Sequence, residues 1–256
     1  LGKGCAEKQS ALEEAEARAE KACSAVRNYT MLPLLREKAR AIQKLRELGI
    51  SEKELSKLNV PQTVEFGRYV QDKSGVDAPI EWLILELTPY RALLISKYAL
   101  DCKPYNTSKA EVTWESCTLR KWLNEDFFNA AFSDGEKAMI PTVTVSADEN
   151  PDCDTDPGNA TQDKVFLLSI PEASRYFINN EARTCVPTAC AIGNGAYTES
   201  YAKGGAATCW WWLRTPGEDQ NLATGVLDEG SVYSSVDHVN SNILCVRPAL
   251  WINLSD

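Results

Sequence analysis

Few residues in this chain are equipped to make or break bonds. It holds one histidine, His238, and a Ser-His-Asp or Cys-His centre would have to recruit that residue as its base. A zinc centre needs cysteine or histidine ligands at short, paired spacing. Cys185 and Cys190 stand five apart with no matching pair elsewhere. Cys209 and Cys245 bracket a polar stretch and read as buried structural thiols. The most metal-like pattern is the alternation Asp152, Asp154, Asp156, with Asn159 and Asp163 following, because calcium prefers oxygen-rich loops. Pro157 falls where an EF-hand loop needs glycine, and helical flanks are missing. The expectation is a solvated acidic loop with weak candidacy for calcium, no resident metal, no cofactor and no catalytic set.

The polar stretch offers binding groups instead. It follows the run Trp210-Trp211-Trp212-Leu213-Arg214-Thr215-Pro216-Gly217 and precedes Val246-Arg247-Pro248-Ala249-Leu250-Trp251-Ile252. Ala223, Val226, Gly230, Val232 and Val239 are small or apolar and suit a framework. Between them stand Glu218, Asp219, Gln220, Asn221, Leu222, Leu227, Asp228, Glu229, Tyr233, Ser234, Asp237, His238, Asn240, Ser241 and Asn242. Tyrosine gives large contact area at low entropic cost and asparagine gives adaptable hydrogen bonding. The plain alternative is a set of polar turns between short strands. If the stretch binds, its side chains belong on one exposed face, with Trp212, Val226, Val232 and Trp251 beneath.

The elements that position these residues follow from periodicity. Leu12, Ala15, Ala19, Ala22 and Val26 recur at coiled-coil spacing, predicting a helix over about residues 6–28. That helix is either a lone surface element or a self-associating stalk, so a homo-oligomer through the N-terminal helices is one expectation. A second helix runs from near Pro33 to Leu48, with Gly49 just past its end. Ser51-Glu52-Lys53-Glu54 is a capping box for a short third helix. Asn59-Val60-Pro61 breaks the pattern and divides a helical segment, residues 1–60, from a domain over residues 61–256.

Beyond Pro61 the period changes to that of strands. Residues 64–70, 82–87 and 92–96 read as strands, the last two apolar on both faces and joined through Thr88-Pro89-Tyr90. Ser116 caps a helix bearing Leu119, Trp122, Leu123 and Phe127 on one face. Ser133 with Glu136 is a capping box, and Ser169-Ile170-Pro171-Glu172 opens another helix. Short strands are expected over residues 142–145 and 165–168, and a long surface loop over residues 178–208. The sum is an α+β domain.

Composition narrows the partners. The chain has 256 residues, 44% hydrophobic, a net charge of −9 and a pI near 4.9. That is enough for a sizeable core, and it lacks the clustered Lys and Arg that nucleic acid requires. No segment has the apolar length of a membrane span. Nine scattered cysteines without a C-x-x-C pair fit reduced thiols better than a disulfide framework. No signal peptide stands at the start as given. A cytoplasmic protein is expected, or a cell-surface one if a leader was removed.

Several blocks together carry a resemblance. Val64-Glu65-Phe66-Gly67-Arg68-Tyr69, Ile80-Glu81-Trp82-Leu83-Ile84-Leu85, Leu93-Leu94-Ile95-Ser96-Lys97, Leu119-Arg120-Lys121-Trp122-Leu123-Asn124 and the two terminal tryptophan-bearing runs stand in the order of an uncharacterised bacterial domain family. The chain is similar to that family from about residue 62 onward. The family in turn resembles the C-type lectin-fold variable proteins of diversity-generating retroelements. There a reverse transcriptase copies a template with errors at adenines, so that Asn codons become Ser, Asp, Tyr, His and others. The resemblance implies a C-type lectin-like fold, kin to the formylglycine-generating enzyme architecture, with a variable region at about residues 210–250. A rewritten segment is a poor home for a catalytic base, which sets His238 aside. The implied function is non-enzymatic binding of a macromolecule, a protein rather than a sugar because no lectin calcium motif is evident. The competing expectations are an enzyme related to the formylglycine-generating or sulfatase-modifying proteins, and a structural interaction module.

Overall fold

The computed structural model describes residues 33, 35–50, 63–199 and 205–254. The expected helices over residues 6–28 and 51–58, the boundary near residue 60 and any assembly through the N-terminal segment lie outside these residues.

Helix α1 covers residues 35–47. Its end is a Schellman motif: Ile50 N donates to Leu45 O at 3.1 Å, Gly49 N to Arg46 O at 2.9 Å, and Gly49 takes φ +82°. Glycine suits that left-handed position because it has no Cβ to clash. Leu35 and Ala39 are buried, and Leu35 belongs to the core of the domain.

The chain is mixed α+β, built on two five-stranded sheets. The first contains β1 (Thr63–Val70), β2 (Asp77–Leu87), β3 (Arg91–Ser96), β7 (Val165–Phe166) and β14 (Ala249–Asn253), in the order β1-β2-β3-β14-β7. The second contains β4 (Asp101–Cys102), β10 (Trp211–Pro216), β11 (Leu222–Val226), β12 (Val232–His238) and β13 (Cys245–Val246), in the order β12-β11-β10-β13-β4. Two-stranded pairs are made by β5 (Val143–Val145) with β6 (Thr161–Asp163), and by β8 (Thr198–Glu199) with β9 (Thr208–Cys209). The sheets are joined by two side-by-side crossings, β3 to β4 and β13 to β14, laced by Ser96 N to Pro248 O at 2.9 Å and Leu100 N to Val246 O at 3.0 Å.

The β2–β3 hairpin forms as the sequence predicts, closed by Thr88 N to Arg91 O at 2.9 Å. β3 is buried on both faces after Arg91, whereas residues 83–87 of β2 are only half-buried. The next helix starts one residue later than expected. Its cap is Cys117, not Ser116, whose hydroxyl instead meets Thr113 N at 3.1 Å. This helix, α2 (Thr118–Trp122), continues through a π-turn (Leu123–Phe127) into α3 (Phe128–Ala131). Asn124 accounts for the π-turn: its Nδ2 donates to Arg120 O at 3.0 Å and to Val165 O at 2.9 Å, and its Oδ1 accepts from Lys164 N at 2.8 Å. A side chain inserted into the helical ladder is a recognised cause of such irregularity.

The predicted capping box at Ser133/Glu136 opens α4 (Asp134–Met139), and the helix predicted to open at Ser169 does so through a further box with Glu172, as α5 (Ile170–Tyr176). The predicted surface loop over residues 178–208 is corrected. It carries α6 (Asn180–Arg183), α7 (Ala189–Gly193), β8 and β9, and it buries Cys185 and Ala191. Its Ala- and Thr-rich composition hides the period because its elements are only two to five residues long. No helix among the described residues is long and apolar enough to cross a membrane.

Candidate binding surface

The second sheet brings the two halves of the polar segment together. Leu222 pairs with His238 and Ala223 with Asp237 across β11 and β12. Val239 N donates to Asn221 O at 2.9 Å, and Glu218 N to Ser235 Oγ at 3.3 Å. Glu218–Leu222 and Asp237–Asn240 therefore share one end of the sheet. Glu218, Asp219, His238 and Asn240 are exposed there, and Gln220, Asn221, Leu222 and Asp237 are half-buried. Tyr233 stands opposite Gly225 and is 54% exposed, while Ser234 is half-buried in the same outer strand. Ser241 is half-buried and Asn242 exposed.

The remaining candidates lie apart from this group. Leu227, Asp228 and Glu229 form the β11–β12 turn at the opposite end, beside Asn180 and Arg183, where Arg183 Nε donates to Gly230 O at 2.8 Å. A single continuous face is thus not formed. Asp228 also departs from expectation, being only 3% exposed and accepting from Trp210 Nε1 at 2.6 Å. It orients an indole of the tryptophan run and belongs to the framework. Its second oxygen is buried without a hydrogen-bond partner.

Beneath the first group the framework is buried. Trp211, Trp212, Val226 and Val239 are fully buried, and Ala223 is nearly so. Trp212 Nε1 donates to Lys103 O at 2.9 Å and Trp211 Nε1 to Arg183 O at 3.3 Å. Val232 is half-buried. Trp251 is misplaced in the sequence reading: it lies on β14 in the other sheet, half-buried beneath the Arg91 guanidinium at 4.0 Å.

Two loops extend the surface. Asn106 N donates to Val239 O at 2.7 Å and Val112 N to Gln220 O at 3.0 Å, which sets residues 106–112 along one side. Lys109 Nζ reaches His238 Nε2 at 3.3 Å, and His238 Nδ1 reaches Asn221 Oδ1 at 3.1 Å. Neither imidazole nitrogen is directed at a hydroxyl or thiol in these contacts. The second is the acidic loop, which also meets Gln220. Asn150 Nδ2 donates to Pro216 O at 2.8 Å and Ser234 O at 3.0 Å, and Gln220 Nε2 donates to Asp156 O at 2.6 Å. Residues 149–157 line an open hollow of about 760 Å³.

The three acids of the calcium candidate are not gathered into one cluster. Asp152, Asp154 and Asp156 are exposed along this loop, and no group of three or more Cys, His, Asp or Glu able to hold a metal occurs among the described residues. Asp163, the next acid, is buried and used otherwise. It accepts from Arg120 Nε at 2.7 Å, Trp114 Nε1 at 2.9 Å and Thr161 Oγ1 at 2.6 Å.

Sequence reasoning missed the two arginines of the terminal blocks. Arg214 is 2% exposed and donates to Ser146 O, Leu167 O and Ser146 Oγ, with ion pairs to Asp148 at 2.8 Å and to Glu172. It ties β10 to α5 and to the root of the acidic loop. Arg247 is 1% exposed, donates to Ser96 O at 2.9 Å, and lies 5.2 Å from the Phe177 ring and 5.0 Å from the Trp211 ring. Arginine flanked by Trp, Leu and Pro was the available signal, since a charge inside an apolar run is buried only when paired.

The architecture is therefore that of a mixed α+β domain with a polar, accessible strand-and-turn surface held on a tryptophan- and arginine-pinned sheet. The chain belongs to a family described as a domain of unknown function, DUF6273, whose model matches residues 90–254. The match takes in β3 to β14 and leaves β1 and β2 outside it. No curated protein and no solved structure matches the chain.

Proposed function

We propose that this protein is a non-enzymatic binder that displays a diversified C-terminal surface on a C-type lectin-like scaffold, in the manner of the variable proteins of diversity-generating retroelements. The observation that supports this reading best is the separation of burial along the polar segment. Every candidate residue except Asp228 is accessible, while Trp212, Ala223, Val226 and Val239 between and beneath them are buried. A surface of this kind can be rewritten at low cost, because exposed replacements usually change stability by within about 0.5 kcal/mol, whereas large-to-small core changes cost roughly 2–5 kcal/mol. The ligand is a macromolecule, a protein by preference, gripped by Glu218–Leu222, Tyr233 and Asp237–Asn240. Leu227 and Glu229 at the far turn form a second, separate patch.

The locus itself supplies the test. Sequencing it from several isolates should reveal a reverse transcriptase gene and a template repeat of the last fifty codons, with differences confined to template adenines and clustered at the accessible positions. Differences spread evenly over Trp212, Val226 and the candidate positions alike would sink the reading.

A further inference from the structure

Four buried cysteines lie close together. Cys102 stands directly opposite Cys245 across the β4–β13 pair, and Cys209 N donates to Cys185 O at 2.9 Å. Cys245 interacts with Cys102, Cys209 and Cys185, and Cys209 also with Cys185, while Cys102 Sγ donates to Asn242 O at 3.1 Å and Leu244 O at 3.2 Å. Their exposures are 5% for Cys102, 1% for Cys185 and 0% for Cys209 and Cys245. No group of three or more Cys, His, Asp or Glu able to hold a metal occurs among the described residues. Antiparallel partners, in contrast, stand about 4.5–5.5 Å apart at Cα, within the roughly 4.4–6.8 Å that a disulfide spans.

We propose that Cys102–Cys245 and Cys185–Cys209 are two disulfide-forming pairs, closed while the chain folds in the presence of a small-molecule disulfide such as oxidised glutathione. Two bridges coexist only in this pairing, because of the other three Cys102 neighbours Cys245 alone, and a bridge from Cys245 to Cys209 or Cys185 strands Cys102. In each closure one protein thiolate attacks the small disulfide, forming a mixed disulfide and releasing one small thiolate. The partner thiolate then attacks the protein sulfur of that mixed disulfide, forming the bridge and releasing the second small thiolate. Two protein thiols lose two electrons to one small disulfide, and their two protons pass to the departing thiolates.

Closure belongs to folding rather than to the finished fold. The attacking species is the thiolate; burial holds the Cys185 thiol above its ordinary range, the bond to Cys102 and then burial do so for Cys245, and at Cys209 the lowering bond to Cys185 is outweighed by the bond to Cys245 and burial. The bridges would fasten both ends of residues 209–245 to elements outside that segment, Cys209 to the α6–α7 connection and Cys245 to β4. This inference stands whether or not the segment binds a ligand.

The test is to unfold the reduced full chain, refold it in a glutathione redox buffer, block free thiols and map linked peptides by mass spectrometry. Cys102–Cys245 and Cys185–Cys209 are expected, with a denaturation midpoint that moves to higher denaturant and falls back on reduction. The Cys245→Ser chain should lose the first link and keep the second, and the Cys185→Ser chain the reverse. A dominant Cys209–Cys245 link, or a refolded chain with native fluorescence and none of the four bridged, overturns the proposal. Should the denatured chain not regain its fold, the same mapping on chain made by cell-free synthesis with oxidised glutathione present gives the same two outcomes.

Discussion

His238 Nδ1 lies 3.1 Å from Asn221 Oδ1, joining the turn after β10 to the end of β12 across the candidate surface. Two accessible residues from opposite ends of the polar segment thus touch, so their contributions to any ligand are coupled. Changing Tyr233, Asp237, His238 and Asn240 together to alanine should leave thermal unfolding almost unmoved, within about 0.5 kcal/mol per position. Differential scanning calorimetry measures this directly. A loss of several kcal/mol would assign these side chains to the structure and end the display reading.

Gly230 sits in the same segment but should not tolerate replacement. It takes φ +86°, and a Cβ there would fall 1.8 Å from Asn180 O. Gly230→Ala must push the β11–β12 turn away from α6 and break the Arg183 Nε to Gly230 O bond. A loss of more than about 1 kcal/mol is expected, from the positive φ and the backbone clash together. Urea unfolding of this variant beside Glu229→Ala, which should be nearly silent, separates the framework from the surface.

Arg214 provides a sharper contrast with exposed charges. Arg214→Ala removes a buried cation that satisfies three main-chain and side-chain acceptors and two carboxylates. Breaking a buried pair of this kind costs roughly 3–5 kcal/mol. Lys121→Ala, whose pair with Glu125 is exposed at 4.0 Å, should cost less than about 1 kcal/mol. Chemical denaturation of the two variants tests the difference.

Alkaline stability should fall in a defined window. Burial, then the bond to Glu86, pushes the Tyr176 phenol from 10.0 up to about 12. Burial likewise pushes the Cys117 thiol from 9.0 up to about 12. Both groups are held neutral in the fold and ionise earlier in the unfolded chain. The stability they lend is therefore whole below about pH 9 and lost progressively towards about 12. In Tyr176→Phe the fall in the denaturation midpoint over that window should be shallower than in the parent chain. An identical slope would exclude Tyr176 as a contributor.

Local signals in the sequence identified the elements that local physics decides. Gly49 marks a Schellman end, Ser133 and Ser169 open helices through side-chain bonds to residues three further on, and Thr88-Pro89-Tyr90 closes a hairpin. Each depends on neighbours within a few residues. What escaped was set by contacts distant in sequence. The burial of Asp228 depends on Trp210, and that of Asp163 on Trp114 and Arg120. Trp251 was grouped with the tryptophan run by residue type, yet pairing with Leu93 puts it in the other sheet. Alternation of acids at residues 152–156 reads as a solvated loop, and Asp152, Asp154 and Asp156 are exposed along it. The candidate surface was legible as a segment, whereas its division into two patches came from strand register.

β14 lies between β3 and β7 inside the first sheet, although it is the last strand among the described residues. During synthesis β3 therefore waits, its apolar face and one hydrogen-bonding edge open, until nearly all the described chain has emerged from the ribosome. Long-range strand pairing of this kind is slow and exposes edges to wrong partners. The polar segment is translated before its scaffold can close, so the vulnerable nascent species carries whatever side chains that segment encodes. A substitution in that segment therefore acts on the nascent chain as well as on the finished fold.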